Sequence, residues 1–436
     1  MKQLIHFIGI GGIGISALAR WFRAHGYEVT GSDLTASSTT AELIREGISV
    51  IVGPHNAKNL SEKTVRVVYN QAITKDNPEL QKAIELGLPH SSYPQSLGEL
   101  TRIYKTIAVA GAHGKSTTTA LTSLILEKAK LDPTVIIGTK LKEFGGKNFR
   151  NGGSEYLIIE ADEWKASFLH YFPYAALITN IDREHLDFYK NLTAIKKTFE
   201  QFLLNVNPYG LIVLNKDDKN LRSLSKKIKR PIVWYGLGDA VAPAIRKILT
   251  VPGEHNVSNA VGAYTLARAL GVARPVILKT LAAYRGAWRR SEYRGKLAGA
   301  AVYDDYGHHP TEIRVTLSGF KAKFAGRRLI CVFQPHQMER LKILFKDFTA
   351  AFEAADILIL LDIYKVAGRE EKDNKITAGK LAAAIITKSG KPVSVPPSFA
   401  ALKSHLTDKL KVGKNDVIVM MGAGNINEWT DRLINK

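Results

Sequence analysis

The sequence predicts an α/β protein assembled from three successive parallel-sheet segments. Short apolar runs alternate with helical stretches in three separate parts of the chain. Two of those parts open on a glycine-rich turn set between a strand and a helix. The length, 436 residues, exceeds what one ordinary core serves and suits roughly two to four domains.

In the first segment the strand Leu4 to Ile8 leads into glycines, a helix follows to His25, and a second strand ends near Asp33. Shorter alternations continue to about Leu100. The second segment opens with a strand at Thr106 to Ala110, then a glycine turn and a helix beginning near Lys115. The apolar runs Tyr156 to Ile159 and Ala175 to Thr179 each end in a polar cluster, and a helix from about Asn256 to Leu270 closes the segment. The third begins near Gly295, with strands at Ala301 to Tyr303, Leu329 to Phe333, Ile357 to Leu361 and Val417 to Met421.

Composition narrows the setting. A 45% apolar, 23% charged chain is ordinary for a globular protein. The single cysteine, Cys331, allows no internal disulfide, which fits a reducing compartment and a cytoplasmic protein. No stretch approaches the roughly 18 uninterrupted apolar residues of a membrane span. The start MKQLIHFIGIGGIGISALA has a signal-peptide outline, but its glycines and His6 suit a strand-turn-helix better. The net charge of +21 favours anionic ligands, nucleotides among them. The densest basic tract, Lys216 to Arg230, lacks interleaved aromatics and reads as a solvated helix face. Neither a nucleic-acid partner nor a membrane partner is expected.

Gly9-Ile10-Gly11-Gly12-Ile13-Gly14 follows a strand and opens a helix, and Asp33 ends the next strand. Glycines so placed let the backbone approach a diphosphate at a helix N-terminus, and the same geometry serves NAD, FAD or another nucleotide diphosphate. Gly111-Ala112-His113-Gly114-Lys115-Ser116-Thr117 is more specific. Its N–H groups can cradle phosphates while Lys115 reaches the terminal ones and a hydroxyl serves Mg²⁺. Val109 stands where the usual eight-residue phosphate loop has its first glycine, so this is a shortened variant. Glu160, Asp162 and Glu163 lie at the end of the strand Tyr156 to Ile159, where parallel sheets present ligand groups and carboxylates can hold Mg²⁺. The next strand ends in Asn180-Ile181-Asp182-Arg183-Glu184-His185-Leu186-Asp187, which brings His185 to an adjacent strand end.

Taken in order, these motifs resemble the Mur ligase family over essentially the whole chain. The resemblance runs through the first turn and Ser32-Asp33, the shortened loop with His113, and Glu160-Ala161-Asp162-Glu163. It continues in Asn180-Ile181-Asp182 with His185 and Asp187, in Pro252-Gly253-Glu254-His255-Asn256 with Asn259, and in Arg289-Arg290. In the last third it rests on Asp304-Asp305-Tyr306-Gly307-His308-His309-Pro310, Phe333-Gln334-Pro335-His336 and Met421-Gly422-Ala423-Gly424.

The resemblance implies three domains. They are a Rossmann-like N-terminal domain (1–102) for a UDP-sugar, a central P-loop ATPase-like domain (103–294) for ATP and Mg²⁺, and a Rossmann-like C-terminal domain (295–436) for an amino acid. It implies ATP-dependent joining of L-alanine to UDP-N-acetylmuramate through an acyl phosphate, by a monomer or weak homodimer. Gly11, Gly12, Ile13, Gly14, Ser32 and Asp33 would serve the UDP-sugar. Gly111, Ala112, His113, Gly114, Lys115, Ser116 and Thr117 would hold the phosphates, with His255, Asn256 and Asn259 on the adenine side. Ser116, Glu160 and His185 would hold the metal. Lys115, Glu160, His185, Arg290 and Asp305 would carry catalysis, with Arg290 also on ATP, and His308, His336 and Arg340 would receive the amino acid.

Some positions depart from the family pattern. Trp164-Lys165 follows the carboxylates in place of a small or aromatic polar residue and aspartate. Gln337 stands where arginine is usual after His336, and the stretch from Gly236 to Val251 is short. Within the family, a recycling ligase that attaches a whole peptide is the nearest rival, and the compact length favours the single-amino-acid enzyme. An NAD-dependent oxidoreductase would explain only the first turn. A nucleic-acid motor would explain only the second. Lys115 and Glu160 are expected to serve catalysis and leave stability unaffected.

Overall fold

The computed structural model describes residues 2–185, 188–364 and 376–434; Asp187 lies outside them. Eighteen described strands form three sheets. The first contains β1 (Leu4–Ile8), β2 (Glu28–Asp33), β3 (Ser49–Val52), β4 (Thr64–Tyr69) and β5 (His90–Ser92). Its order is β3-β2-β1-β4-β5, and every pairing is parallel. Strand order reverses at β1, so the turn after β1 opens at the switch point where such sheets bind ligands.

The second sheet comprises β6 (Lys105–Ala110), β7 (Thr134–Leu141), β8 (Lys147–Arg150), β9 (Tyr156–Ala161), β10 (Ala175–Ile178), β11 (Leu211–Asn215) and β12 (Val233–Tyr235). They run in the order β12-β11-β10-β6-β9-β7-β8, parallel except for the β7–β8 hairpin. The central strands β6, β9 and β10 read as unbroken apolar runs because helices cover both faces. Phe168 stacks on Phe202 at 4.6 Å and meets Phe199 edge-on at 5.0 Å beneath this sheet.

The third sheet holds β13 (Glu292–Leu297), β14 (Ala300–Asp305), β15 (Arg328–Phe333), β16 (Ile357–Leu360), β17 (Val393–Ser394) and β18 (Asp416–Met421). Its order is β13-β14-β18-β15-β16-β17, parallel except where β13 pairs antiparallel with β14. Cys331 is fully buried in β15. The chain forms two compact units, residues 1–239 with 260–280 and residues 240–259 with 281–436, so the first two sheets share one unit. Among the described residues no helix is long and apolar enough to cross a membrane.

Part of the basic tract from Lys216 forms the short helix Lys219–Ser225, which buries Leu221 and Leu224 and exposes Lys219 and Arg222. Several of its charges bind within the protein: Lys216 pairs with Asp239 and Lys227 with Glu200. The short stretch after Gly236 contains the helix Ala242–Ile248.

Candidate active site

Neighbouring side chains press against each glycine of the first turn, which stays partly open to solvent. Gly9 adopts φ +73°, and the helix Ile13–Ala24 follows with Gly12 at its N-cap and no capping side chain. Asp33, at the end of β2, accepts a hydrogen bond from the Gly11 N–H at 2.8 Å. A Cβ on Gly11 would lie 2.8 Å from that carboxylate, and one on Gly12 would lie 2.5 Å from Asn70 Nδ2. Asp33 therefore braces the turn itself. Asn148 on the β7–β8 hairpin donates to Ser16 Oγ at 3.0 Å and accepts from Arg20 at 2.5 Å, which docks the hairpin on this helix.

Ser32 is fully buried and gives its hydroxyl to Glu79 at 2.6 Å. Glu79, also fully buried, accepts from Asn59 (2.7 Å) and contacts His6 Nε2 and His55 Nδ1, each at 3.0 Å. Burial alone would raise this carboxyl. The hydrogen bonds from His6, Ser32, Asn59 and His55 overcome burial and bring it down to about 2. The Ser32 side chain thus supports the turn from behind.

The second turn is organised around charge. Gly111 (φ +134°) and Gly114 (φ +84°) take conformations that glycine adopts freely. A Cβ on Gly111 would lie 2.1 Å from Thr179 Oγ1. The helix Lys115–Lys128 starts immediately afterwards, so its unpaired N–H groups face the loop. Asn180 locks the loop by accepting from the His113 N–H and donating to the His113 carbonyl, each at 2.9 Å. The His113 ring meets Asp182 at 2.9 Å, and Ser116 and Thr117 are buried in the first helical turn.

Lys115 donates to the carbonyls of Gly111 (2.7 Å) and Ala112 (3.3 Å) and to Glu163 Oε2 (2.8 Å), with Asp162 at 3.9 Å. Burial would lower the Lys115 ammonium, but the Glu163, Asp162 and Glu160 carboxylates raise it well above its ordinary value. Glu163 is 1% exposed, and burial raises its carboxyl despite Lys115.

Two metal-type donor groups stand side by side here. Ser116 Oγ donates to Glu160 Oε1 at 2.9 Å, while Glu160 Oε2 accepts from the Gly138 N–H at 2.9 Å. His185, at φ +54°, presents Nε2 at 3.7 Å from Glu163 Oε1, and donor atoms of Asp162, Glu163 and His185 all lie within 4.8 Å of one another. Glu163 Oε1 is buried with no hydrogen-bond partner. An orphaned carboxylate oxygen beside an imidazole and a second carboxylate suits a divalent cation. Ser116 and Glu160 come together as the sequence suggests, and His185 joins Asp162 and Glu163. Glu163 was legible only as one of three carboxylates at a strand end; its burial and its pairing with Lys115 were not.

The remaining expected residues belong to the second compact unit. Asn256 is 5% exposed and donates to the Pro252 carbonyl at 2.7 Å; Asn259 is likewise buried, and the His255 ring fills the space a Cβ on Gly253 would need. Asp305 ends β14 buried, accepting from the N–H groups of Ser291 and Gly307 at 2.8 Å each, and burial raises its carboxyl. The Arg290 guanidinium lies 5.0 Å from the Tyr306 ring centre and 3.9 Å from Glu312. His308 contacts the Tyr306 carbonyl (3.0 Å), and its ring centre is 6.4 Å from that of His336, which stacks on Tyr364 at 5.5 Å. Gln337 occupies the N-cap position of the helix Met338–Ile343, which carries Arg340, without a capping hydrogen bond from its side chain, and sits at φ +63°, an unfavourable conformation for a residue with a side chain.

Three family models match in sequence along the chain. They are the Mur ligase family catalytic domain over residues 4–105, the Mur ligase middle domain over 109–248, and the Mur ligase glutamate ligase domain over 289–424. A UDP-N-acetylmuramate–L-alanine ligase of Aquifex aeolicus is 38% identical over 98% of this chain and 96% of its own length. One from Solidesulfovibrio magneticus is 41% identical over 97% and 95%. The crystal structure of a UDP-N-acetylmuramate–alanine ligase from Thermotoga maritima superposes with a TM-score of 0.82 at 27% identity, covering 100% of this chain and 98% of that one. A murein peptide ligase from Psychrobacter arcticus gives a TM-score of 0.70 at 25% identity, over 99% and 98%. With three models spanning most of its length and near-full-length relatives at this identity, the chain belongs to the Mur ligase family.

Proposed function

We propose that this chain is the ATP-dependent ligase that joins L-alanine to the lactyl carboxylate of UDP-N-acetylmuramate in peptidoglycan synthesis, releasing ADP and phosphate. Near-full-length similarity to relatives of that name carries the reading. The Lys115 loop beside the Glu160–Glu163 carboxylates supports it. We assign the UDP-sugar to the domain 1–102, ATP to 103–294 and L-alanine to 295–436, in a cytoplasmic monomer or weak homodimer.

A carboxylate is a poor electrophile, and the γ-phosphoryl of ATP converts it to an acyl phosphate that an amine can attack. Both partners are anionic, so the site must neutralise charge as they meet. The 111–117 loop and Lys115 hold the phosphates. Ser116 with Glu160, and His185 with Asp162 and Glu163, would hold Mg²⁺, which supplies positive charge to the phosphate oxygens. Arg290 adds a cation, Asp305 fixes the backbone at Ser291 and Gly307, and His308, His336 and Arg340 receive L-alanine.

The deciding experiment is mass spectrometry of the products formed from UDP-N-acetylmuramate, ATP, Mg²⁺, the twenty amino acids and a cell-wall tripeptide. The expected product is the L-alanyl conjugate with stoichiometric ADP. Preferential attachment of the tripeptide would instead identify a recycling ligase, and turnover without UDP-N-acetylmuramate would exclude both.

A further inference from the structure

Tyr93 belongs to no motif in the sequence, yet it stands between the two glycine turns. It opens the helix Tyr93–Ile103, whose start is fixed by a capping box between Ser92 and Gln95 and by Pro94. Its ring abuts the first turn: a Cβ on Gly14 would lie 2.8 Å from both Tyr93 Cζ and Oη. Only a glycine at position 14 leaves room for the phenol.

Across from that turn are the carboxylates of the second. Burial first, then the negative charges of Glu160 and Asp162, raise the Tyr93 phenol well above its ordinary value. It is therefore protonated at any physiological pH and acts as a donor. Among the described residues no protein group hydrogen-bonds its hydroxyl. Tyr93 is only partly buried, so its O–H is left to water and is free to donate to a ligand oxygen that displaces it. The acceptor must tolerate the adjacent helix start, where Gly12 provides no capping side chain and the free N–H groups favour an anion.

We propose that the Tyr93 hydroxyl is a direct contact of the UDP-sugar, donating to a diphosphate oxygen at the start of the helix Ile13–Ala24. This rests on the assignment of the first turn to the UDP-sugar. The phenol adds an O–H donor to the backbone N–H groups of the turn.

Tyr93→Phe removes the O–H and keeps the ring that packs on Gly14. Titration calorimetry without ATP should show UDP-N-acetylmuramate and plain UDP each binding about tenfold more weakly, as expected for losing one hydrogen bond to a charged group. ATP affinity and melting temperature should match the parent, and the kinetic loss should fall on the KM for the UDP-sugar. Gly14→Ala, which pushes on the ring, should give the same selective loss. Unchanged UDP-N-acetylmuramate affinity in Tyr93→Phe overturns the proposal. Weakening confined to UDP-N-acetylmuramate, with UDP unaffected, places the hydroxyl on the sugar acid and overturns the diphosphate contact. Failure of the parent protein to bind any UDP-sugar would instead remove the assignment of the turn.

Discussion

The two glycine turns occupy the same place in their sheets and are built from opposite materials. At the first, neighbouring side chains crowd each glycine, Asp33 binds the loop backbone, and the loop Gly9 to Gly14 itself contains no lysine. At the second, glycine conformations open the loop, and a lysine lies against a carboxylate cluster. The difference matches what each is asked to do. A diphosphate that is only held needs shape and N–H donors, whereas a phosphoryl group that is transferred needs positive charge already in place where charge develops.

The largest effect should come from removing that charge. Lys115→Ala is predicted to lower turnover by at least about a hundredfold, the scale of lost transition-state stabilisation. The structure corrects the expectation that stability would be untouched, because Lys115 is the counter-ion of a carboxylate that is 1% exposed. Breaking such a pair costs about 3 kcal/mol when the carboxylate is ionised. Burial already raises Glu163, and a carboxyl raised in the folded state loses stability as pH climbs through its folded value. The melting-temperature gap between Lys115→Ala and the parent should therefore widen from pH 5 to pH 8. Equal melting at pH 8 in nucleotide-free calorimetry would remove Lys115 from the folding account.

The first turn should be sensitive to acid for the converse reason. Glu79 lies at about 2 against an ordinary 4.5. Its contribution is present above about pH 4.5 and is lost as pH falls toward 2, on the order of 3 kcal/mol by linkage. Urea unfolding of Glu79→Gln should approach the parent curve over that window and lie clearly below it at pH 7. A constant difference from pH 7 to pH 3 would show that the carboxylate's charge is irrelevant.

A smaller, selective effect is expected at Gly12. A side chain there meets Asn70 at 2.5 Å, so Gly12→Leu should weaken UDP-N-acetylmuramate binding about tenfold with ATP binding intact. Parallel losses of both ligands would mean that the two turns are not functionally separate. The smallest effect lies outside both. Gln337 offers a neutral amide where arginine could grip a carboxylate with two hydrogen bonds. Gln337→Arg should lower the KM for L-alanine severalfold with kcat little changed. If Arg340 alone holds the carboxylate, Gln337→Arg is neutral and Arg340→Ala is severe.

The parts legible in the sequence are those where one element decides the outcome. β1, β6, β9 and β10 begin and end within two residues of their apolar runs because both faces are buried. The hairpin β7–β8 and the edge strand β13, with the sequence Glu-Tyr-Arg-Gly-Lys-Leu, carry charge and half-exposed faces, so no periodicity announced them. Lys115, Ser116 and Glu160 followed from their positions at a loop, a helix start and a strand end. Other roles depend on tertiary neighbours far away in sequence. Ser32 turns to Glu79, 47 positions on. Glu163 turns to Lys115, and Tyr93 fills the space left by Gly14.

The basic tract contains one residue whose consequence is mechanical. Arg230 spans four backbone carbonyls of the preceding connection, Val206 at 2.7 Å, Asn207 at 2.5 Å, Pro208 at 3.2 Å and Gly210 at 3.3 Å. A single guanidinium thus acts as the clasp of a loop whose tip, Tyr209, is 91% exposed. Proteolysis acts on chain that opens locally, so a tip held by its own backbone hydrogen bonds is a poorer substrate than its accessible tyrosine suggests. Open the clasp, as in Arg230→Ala, and chymotrypsin should nick the chain after Tyr209 well before the folded core gives way.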